Sequence, residues 1–310
     1  MIEQVLLLLL GLALIVFGAD WLVDGSSAIA RKAGISEFVI GLTIVGFGTS
    51  CPELVVSLTG ALQGNADISV GNVVGSNVFN TLLILGLTAV IAPVAVTRSN
   101  RRRDIPIALL VTFLFAAFAL TGGQITRIEG AVYLLVFAAY MFYCFKSDQG
   151  ADEAAEEKVH SLLMAILLVL AGLGGLIFGG QLFVNNATAI ARAVGVSDKF
   201  IAITLLAGGT SFPELATCIV AAAKKKDQLA LGNVLGSNVF NILLILGTSA
   251  VVTPLSTLAL TWVDLGVLLT SAALIWLWTF TGHRDRIDRW EAILMLLLFF
   301  GYYASLFVKL

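Results

Sequence analysis

The chain has 310 residues, of which 59% are hydrophobic and only 12% are charged, and its mean hydropathy is +0.99. Soluble domains carry about 25% charged residues, so this composition excludes a soluble globular protein and indicates an integral membrane protein. The formal net charge of −2 is uninformative by itself, and the sequence predicts the lipid bilayer as a partner but no nucleic acid.

Apolar stretches long enough to cross a bilayer recur along the whole chain. In the first half they predict five membrane-spanning helices, at 4–22, 38–62, 71–93, 104–122 and 128–145. In the second half they predict five more, at 161–184, 200–223, 230–252, 262–281 and 290–308. The expected fold class is therefore an all-α integral membrane protein with ten transmembrane helices.

A short polar and acidic segment, residues 146–160, separates the two groups of spans. One interpretation is a calcium-sensing loop, but the ligand spacing of known calcium loops is missing. A solvated cytoplasmic linker is the favoured interpretation. The sequence thus predicts a first five-helix repeat at 1–145, the linker at 146–160, and a second five-helix repeat at 161–310.

The distribution of basic residues predicts the orientation of these spans. Because each half has an odd number of spans, the second half must cross the membrane in the opposite sense to the first. With the N-terminus outside, the inward loops hold 14 of the 18 lysines and arginines, and cytoplasmic loops are the ones that carry this excess. We therefore expect two inverted-topology repeats, an architecture common in secondary transporters, in a multi-pass protein of the plasma membrane with both termini outside the cytoplasm.

Two motifs occur once in each half, and the copies lie 161 residues apart. The first is Gly-Thr-Ser-x-Pro-Glu, at 48–53 and 209–214. The second is Gly-Asn-Val-x-Gly-Ser-Asn-Val-Phe-Asn, at 71–80 and 232–241. An internal repeat of this kind indicates that the fold is built from two similar units. Polar or acidic groups at membrane depth are costly to bury, so they are functional candidates.

The first motif predicts a break in helices 2 and 7. Pro52 and Pro213 have no amide hydrogen for the carbonyl four residues earlier, so the helix should kink or break there and free backbone carbonyls. In lipid such carbonyls must line a cavity or bind an ion. Oxygen-bearing side chains share one helical face around each proline: Thr49, Ser50 and Glu53, and again Thr210, Ser211 and Glu214.

The second motif adds amides and hydroxyls at a spacing of four residues on helices 3 and 8. They are Asn72, Ser76 and Asn80 in the first half, and Asn233, Ser237 and Asn241 in the second. Such hard oxygen donors suit Ca²⁺ or Na⁺. Two ionised glutamates in a low-dielectric site must be neutralised by one divalent cation, by monovalent cations or by protons, which gives a physical basis for ion exchange.

With these two motifs the chain resembles the cation/Ca²⁺ exchanger superfamily, and in particular its prokaryotic sodium/calcium exchangers. The resemblance implies a central site formed by helices 2, 3, 7 and 8, with Glu53 and Glu214 as principal ligands. It implies these further ligands: Thr49, Ser50, Ser76, Asn80, Thr210, Ser211, Ser237 and Asn241, and the backbone carbonyls of Gly46 and Ala207. It also implies that helices 1 and 6 slide across the other helices to expose the site to each side in turn.

The sequence therefore predicts a secondary antiporter, not an enzyme, that exchanges Na⁺ for Ca²⁺ by alternating access. The two ions are substrates; no cofactor and no obligate protein partner are expected. The first alternative is a proton-coupled Ca²⁺ or cation exchanger, and a more distant one is a cation channel, which fits poorly with two oppositely oriented repeats. A membrane scaffold whose polar groups only join helices is the structural alternative.

Overall fold

The computed structural model describes residues 1–148, 150, 161–196, 207–283 and 285–308, and within these ranges the protein is almost entirely helical. The first half contains α1 (Ile2–Ala33), α2 (Glu37–Thr49), α3 (Cys51–Leu62), α4 (Ala66–Ile91), α5 (Asn100–Gly122) and α6 (Arg127–Lys146). The second contains α7 (Leu162–Ala193), α8 (Phe212–Ala223), α9 (Asp227–Val252), α10 (Trp262–Trp278) and α11 (Arg289–Val308). A single helical turn, Ala207–Gly209, precedes α8.

Most of these helices are long and apolar enough to span a membrane. In the described part of the chain seven helices meet that condition, and α2 with α3 forms an eighth span if the bent pair is counted as one. The helices α8 and α10 are shorter and also apolar. An all-helical, multi-pass membrane protein is therefore confirmed. Most of the predicted linker at 146–160, and the first part of the predicted span at 200–223, lie outside the described residues.

The helices α1 and α7 are longer than the apolar stretches that predicted them. Each has 32 residues, which corresponds to about 48 Å. In α1 the helix continues through two acidic residues because a lysine from the second half binds both: Lys224 Nζ lies 2.7 Å from Asp20 Oδ1 and 2.6 Å from Asp24 Oδ1. Asp20 and Asp24 end the apolar stretch of the sequence, but they do not end the helix.

Glycines allow α1 and α7 to approach closely. A Cβ atom on Gly18 would lie 2.8 Å from the carbonyl oxygen of Gly172, and one on Gly11 would lie 2.9 Å from that of Gly179. Small residues at such positions let two helix backbones touch. Since the earlier glycine of α1 meets the later glycine of α7, the two helices are antiparallel.

Four short strands join the two halves. Strand β1 (Val94–Ala95) pairs with β4 (Arg286–Ile287), and β2 (Gln124–Ile125) pairs with β3 (Leu255–Ser256), both antiparallel. The chain order places α5 between β1 and β2, and α10 between β3 and β4. Helix α5 therefore leads from the first two-stranded sheet to the second, and α10 leads back, so these two helices run in opposite directions.

The helix α9 lies against α2 with almost no side chains between the two backbones. A Cβ atom on Gly232 would lie 2.2 Å from the carbonyl oxygen of Phe38, and one on Gly41 would lie 2.4 Å from that of Leu229. Real Cβ atoms do not approach other atoms so closely, so glycine is required at both positions. This contact holds the broken helix of the first half against the second motif of the other half.

Candidate cation site

Each repeated glutamate lies in the first turn of a helix that begins inside the protein. The helices α2 and α3 meet at Ser50, two residues before Pro52, with a bend of 48°. Ser50 is the N-cap of α3, as Ser211 is of α8, and a proline follows two residues later in both helices. Proline is tolerated there because the first amides of a helix have no helical acceptor. The positive end of each helix dipole then favours the negative charge of Glu53 or Glu214.

The two N-cap serines bind the glutamates of the opposite halves. Ser50 Oγ donates to Glu214 Oε1 over 3.0 Å, and Ser211 Oγ donates to Glu53 Oε1 over 3.0 Å. An N-cap serine ordinarily accepts a bond from its own helix, worth about 1 kcal/mol, but neither serine does so here. These reciprocal bonds bring both carboxylates into one site, which we call the central site.

Several oxygen atoms in and around the central site are buried without a hydrogen-bond partner among the described residues. They are Glu53 Oε2, Glu214 Oε2, Asn80 Oδ1, Asn241 Oδ1 and Thr210 Oγ1. The two glutamates and two asparagines are at most 1% exposed. An unsatisfied buried acceptor costs about 1–3 kcal/mol, and more when it is charged. Acceptors without donors, two of them carboxylate oxygens, are the atoms that a bound cation would satisfy.

The hydroxyls expected at the site are part of the same network. Ser211 Oγ lies 3.3 Å from Ser76 Oγ, so α8 contacts α4 directly. Thr49 Oγ1 lies 3.2 Å from Asn233 Oδ1, which joins α2 to α9. Each hydroxyl oxygen has two lone pairs, so a hydroxyl that donates one bond can also coordinate an ion.

The backbone oxygens implied by the resemblance have different surroundings. The carbonyl of Gly46 accepts the amide of Ser50 over 3.1 Å and lies 3.5 Å from Ser237 Oγ. It therefore keeps its helical bond, because the interruption of the helix falls after it, and the hydroxyls of Thr49 (3.4 Å) and Ser237 are directed at its other lone pair. Ala207 lies at the start of the helical turn Ala207–Gly209.

Asn80 and Asn241 both lie in widened, π-helical turns. These turns are Phe79–Ile84 in α4 and Phe240–Leu246 in α9. Such turns are rare and occur mostly at functional sites. The sequence did not predict these turns. The spacing of polar residues shows which residues share a helix face, but it does not show a local change of helical pitch.

Sequence reasoning also missed the role of Asn77 and Asn238. Asn77 Nδ2 donates to the Asn238 carbonyl over 3.1 Å, and Asn241 Nδ2 donates to Asn77 Oδ1 over 2.8 Å. Because the nitrogen of Asn241 is held in this way, its oxygen is the atom left unpaired. Asn77 and Asn238 occupy equivalent positions in the two copies of the motif. This equivalence could have identified them as site residues from the sequence.

Two other motif amides support the helices around the site. Asn72 Nδ2 donates to the carbonyl of Glu53 over 3.3 Å and to Ser57 Oγ over 3.0 Å, which ties α4 to α3. Asn233 Nδ2 donates to Cys218 Sγ over 3.2 Å, which ties α9 to α8. Both amides therefore position the glutamate-bearing helices.

An all-helical membrane fold, with two buried glutamates and unpaired oxygen acceptors between interrupted helices, defines a cation-handling membrane protein. The chain belongs to the sodium/calcium exchanger family: the family described as "Sodium/calcium exchanger protein" matches residues 3–146 and 164–308. The family resemblance predicted from the two motifs is confirmed.

Relatives of known name cover almost the whole chain. It is 39% identical to the "Putative antiporter CaxA" of Alkalimonas amylolytica, over 99% of each protein. It is 32% identical to the "Sodium/calcium exchanger MaX1" of Methanosarcina acetivorans, over 97% of this chain and 98% of that one. The fold is similar to a structure of the sodium-calcium exchanger NCX_Mj soaked with 2.5 mM Na⁺ and 0.1 mM Ca²⁺, with a TM-score of 0.87, 35% identity and 99% coverage of both chains. These relatives are named as transporters and not as enzymes.

Proposed function

We propose that the protein is a secondary antiporter that exchanges Na⁺ for Ca²⁺ across the plasma membrane by alternating access. The observation that carries this proposal is the reciprocal pair of buried glutamates, each with one oxygen bonded to a serine of the other half and one oxygen unpaired. Two bare carboxylates are strongly unfavourable at membrane depth. One Ca²⁺ or several Na⁺ would neutralise them, so the two ions compete for the same negative charge.

The proposed ion ligands are the residues that carry oxygen atoms toward or around the central site. They are Glu53, Glu214, Asn80, Asn241, Thr49, Thr210, Ser50, Ser211, Ser76 and Ser237, with the carbonyls of Gly46 and Ala207. Ca²⁺ takes six to eight oxygen ligands and Na⁺ fits a smaller subset, so a set of this size accommodates either ion. The exchange would require that the empty site, with its two uncompensated charges, does not reorient.

The proposed architecture is ten spans in two inverted repeats, at 1–145 and 161–310, joined by a cytoplasmic linker at 146–160. Three features support it: the antiparallel course of α1 and α7, that of α5 and α10, and the family match to 3–146 and 164–308. The 48° bend before Pro52 supports a broken second span, and we propose the same at Pro213. The excess of basic residues in one set of loops supports placing both termini outside the cytoplasm.

The experiment that tests this function is uptake of radioactive calcium into proteoliposomes that contain the purified protein. We expect uptake when the vesicles are loaded with Na⁺ and diluted into Na⁺-free medium. Vesicles loaded with choline are expected to take up almost none. A third set, loaded with choline and given a pH gradient, tests proton coupling. Uptake that follows the pH gradient and ignores Na⁺ would overturn sodium coupling in favour of a proton-coupled exchanger.

The reciprocal serine bonds predict equal effects of two single substitutions. Ser50→Ala and Ser211→Ala should each weaken Ca²⁺ binding about tenfold, because a hydrogen bond to a charged group contributes about 1.5–3 kcal/mol. Isothermal titration calorimetry on the purified protein measures this change. Ser271→Ala is the matched control, since that serine is equally buried but binds the Leu268 carbonyl in α10. A large effect at only one of the two serines would contradict the equivalence of the two halves.

A further inference from the structure

A polar cavity lies outside the central site, where α5 begins. It has a volume of about 700 Å³ and lies between the loop before α5, the segment before α2 and the end of α6. Among the described residues, three arginines line it: Arg98, Arg102 and Arg103. We call it the basic cavity. None of the proposed ion ligands lines it, so it has no part in the exchange site.

Two of the three arginines have no partner among the described residues. Arg103 is held in place, with Nε 2.7 Å from Asp104 Oδ1 and Nη1 2.5 Å from Ser147 Oγ. Arg98 and Arg102 are exposed, and within the described parts of the chain neither has a hydrogen-bond or ion-pair partner. The carboxylate of Asp148, also in the wall, already accepts the backbone amide of Ser36 over 2.9 Å. The start of α5 adds the positive end of its dipole, so the cavity is suited to an anion.

The repeat itself provides a comparison for this cavity. At the start of α10, the helix equivalent to α5, a cavity of about 360 Å³ is lined by Asp67, Ala259 and Asp264. These three residues lie 161 positions from Gln228, Arg98 and Arg103, which line the basic cavity. The fold therefore forms this kind of cavity without arginines. The positive charge is therefore not needed to build the cavity.

Aromatic side chains of α6 lie at the edge of the basic cavity. Tyr143 lines the cavity, and the neighbouring Phe142 and Phe145 on the last turns of α6 are 68% and 51% exposed. Exposed aromatic side chains beside a basic pocket suit a ligand with an anionic head and apolar tails. Guanidinium groups bind phosphate through paired hydrogen bonds, and basic pockets at membrane surfaces bind anionic lipid headgroups. We propose that the basic cavity binds the phosphate group of an anionic phospholipid through Arg98 and Arg102.

The test compares lipid binding by the wild type and two double variants, using native mass spectrometry of the full-length protein in detergent. Phosphatidylglycerol is the probe, phosphatidylcholine is the neutral reference lipid, and inorganic phosphate is added in a separate arm. We expect Arg98→Gln/Arg102→Gln to bind phosphatidylglycerol about thirtyfold more weakly. Lys32→Gln/Lys225→Gln removes the same charge from two exposed residues outside the cavity and should bind like wild type.

An equal loss of phosphatidylglycerol binding in both double variants would overturn the proposal, because it would show a general effect of the protein's charge. Inorganic phosphate that displaces the lipid at similar concentration would also overturn it, in favour of a soluble anion. Arg98→Lys/Arg102→Lys keeps the charge without the paired hydrogen bonds and is expected to lose part of the binding. An unchanged melting temperature in phosphatidylcholine shows that each variant is folded, and this is expected because Arg98 and Arg102 are exposed.

Discussion

Glu53→Gln is expected to reduce Na⁺-dependent Ca²⁺ uptake by at least about 100-fold, and Glu214→Gln should do the same. The substitution keeps the size and the Ser211 bond acceptor of the side chain but removes one of the two buried charges. A single carboxylate cannot neutralise a divalent cation, and Ca²⁺ affinity depends on the number of charged ligands. A 100-fold loss corresponds to about 2.7 kcal/mol, which is within the range of about 2–5 kcal/mol for truncating one partner of a buried charge pair.

Uptake in proteoliposomes, normalised to the amount of folded protein, measures this effect. Glu291→Gln is a suitable control, because Glu291 is fully buried but both of its oxygens have donors, from Thr281 and the Asp288 amide. That variant should lose stability and keep its uptake per folded molecule. The variant Glu53→Gln should melt at or above the wild-type temperature, since it relieves the repulsion between two buried carboxylates. Undiminished uptake by Glu53→Gln would mean that the ions cross elsewhere.

Gly232→Ala is expected to destabilise the protein by at least about 3 kcal/mol, the upper end of the usual cost of overpacking. The added Cβ atom would lie 2.2 Å from the Phe38 carbonyl oxygen and 2.8 Å from the Leu42 amide nitrogen. Both are backbone atoms of α2, so no side-chain rotation can relieve the clash. Separation of α2 from α9 would also move Thr49 away from Asn233 and open the central site.

The loss of stability is measured by heating the purified protein and determining the fraction that remains monodisperse on size-exclusion chromatography. Gly266→Ala is the matched control, because no described atom lies within 4 Å of the position of its Cβ and alanine is favoured over glycine within a helix. We expect the control to melt at or slightly above the wild-type temperature. Equal melting temperatures for both variants would show that α2 and α9 can separate at little cost.

The class of the protein and the main polar residues could be predicted from the sequence. Membrane helices follow from local transfer free energy, which apolar stretches report directly. The repeated motifs at a constant offset of 161 residues marked Glu53 and Glu214 without any tertiary information. The ends of the helices were less accurate: α1 continues to Ala33 because Asp20 and Asp24 are paired with Lys224, a contact between residues about 200 positions apart.

Sequence alone determined the membrane class, the duplication and the residues that place charge inside the bilayer, because each of these is encoded in local composition or in the repeat. Only the tertiary structure decided how the halves meet. It brought Ser50 to Glu214 and Ser211 to Glu53, and it made Asn77 the group that orients Asn241. It also formed the basic cavity from segments around Ser36, Arg98 and Ser147. Such contacts depend on the packing of distant helices, and neither periodicity nor hydropathy contains that information.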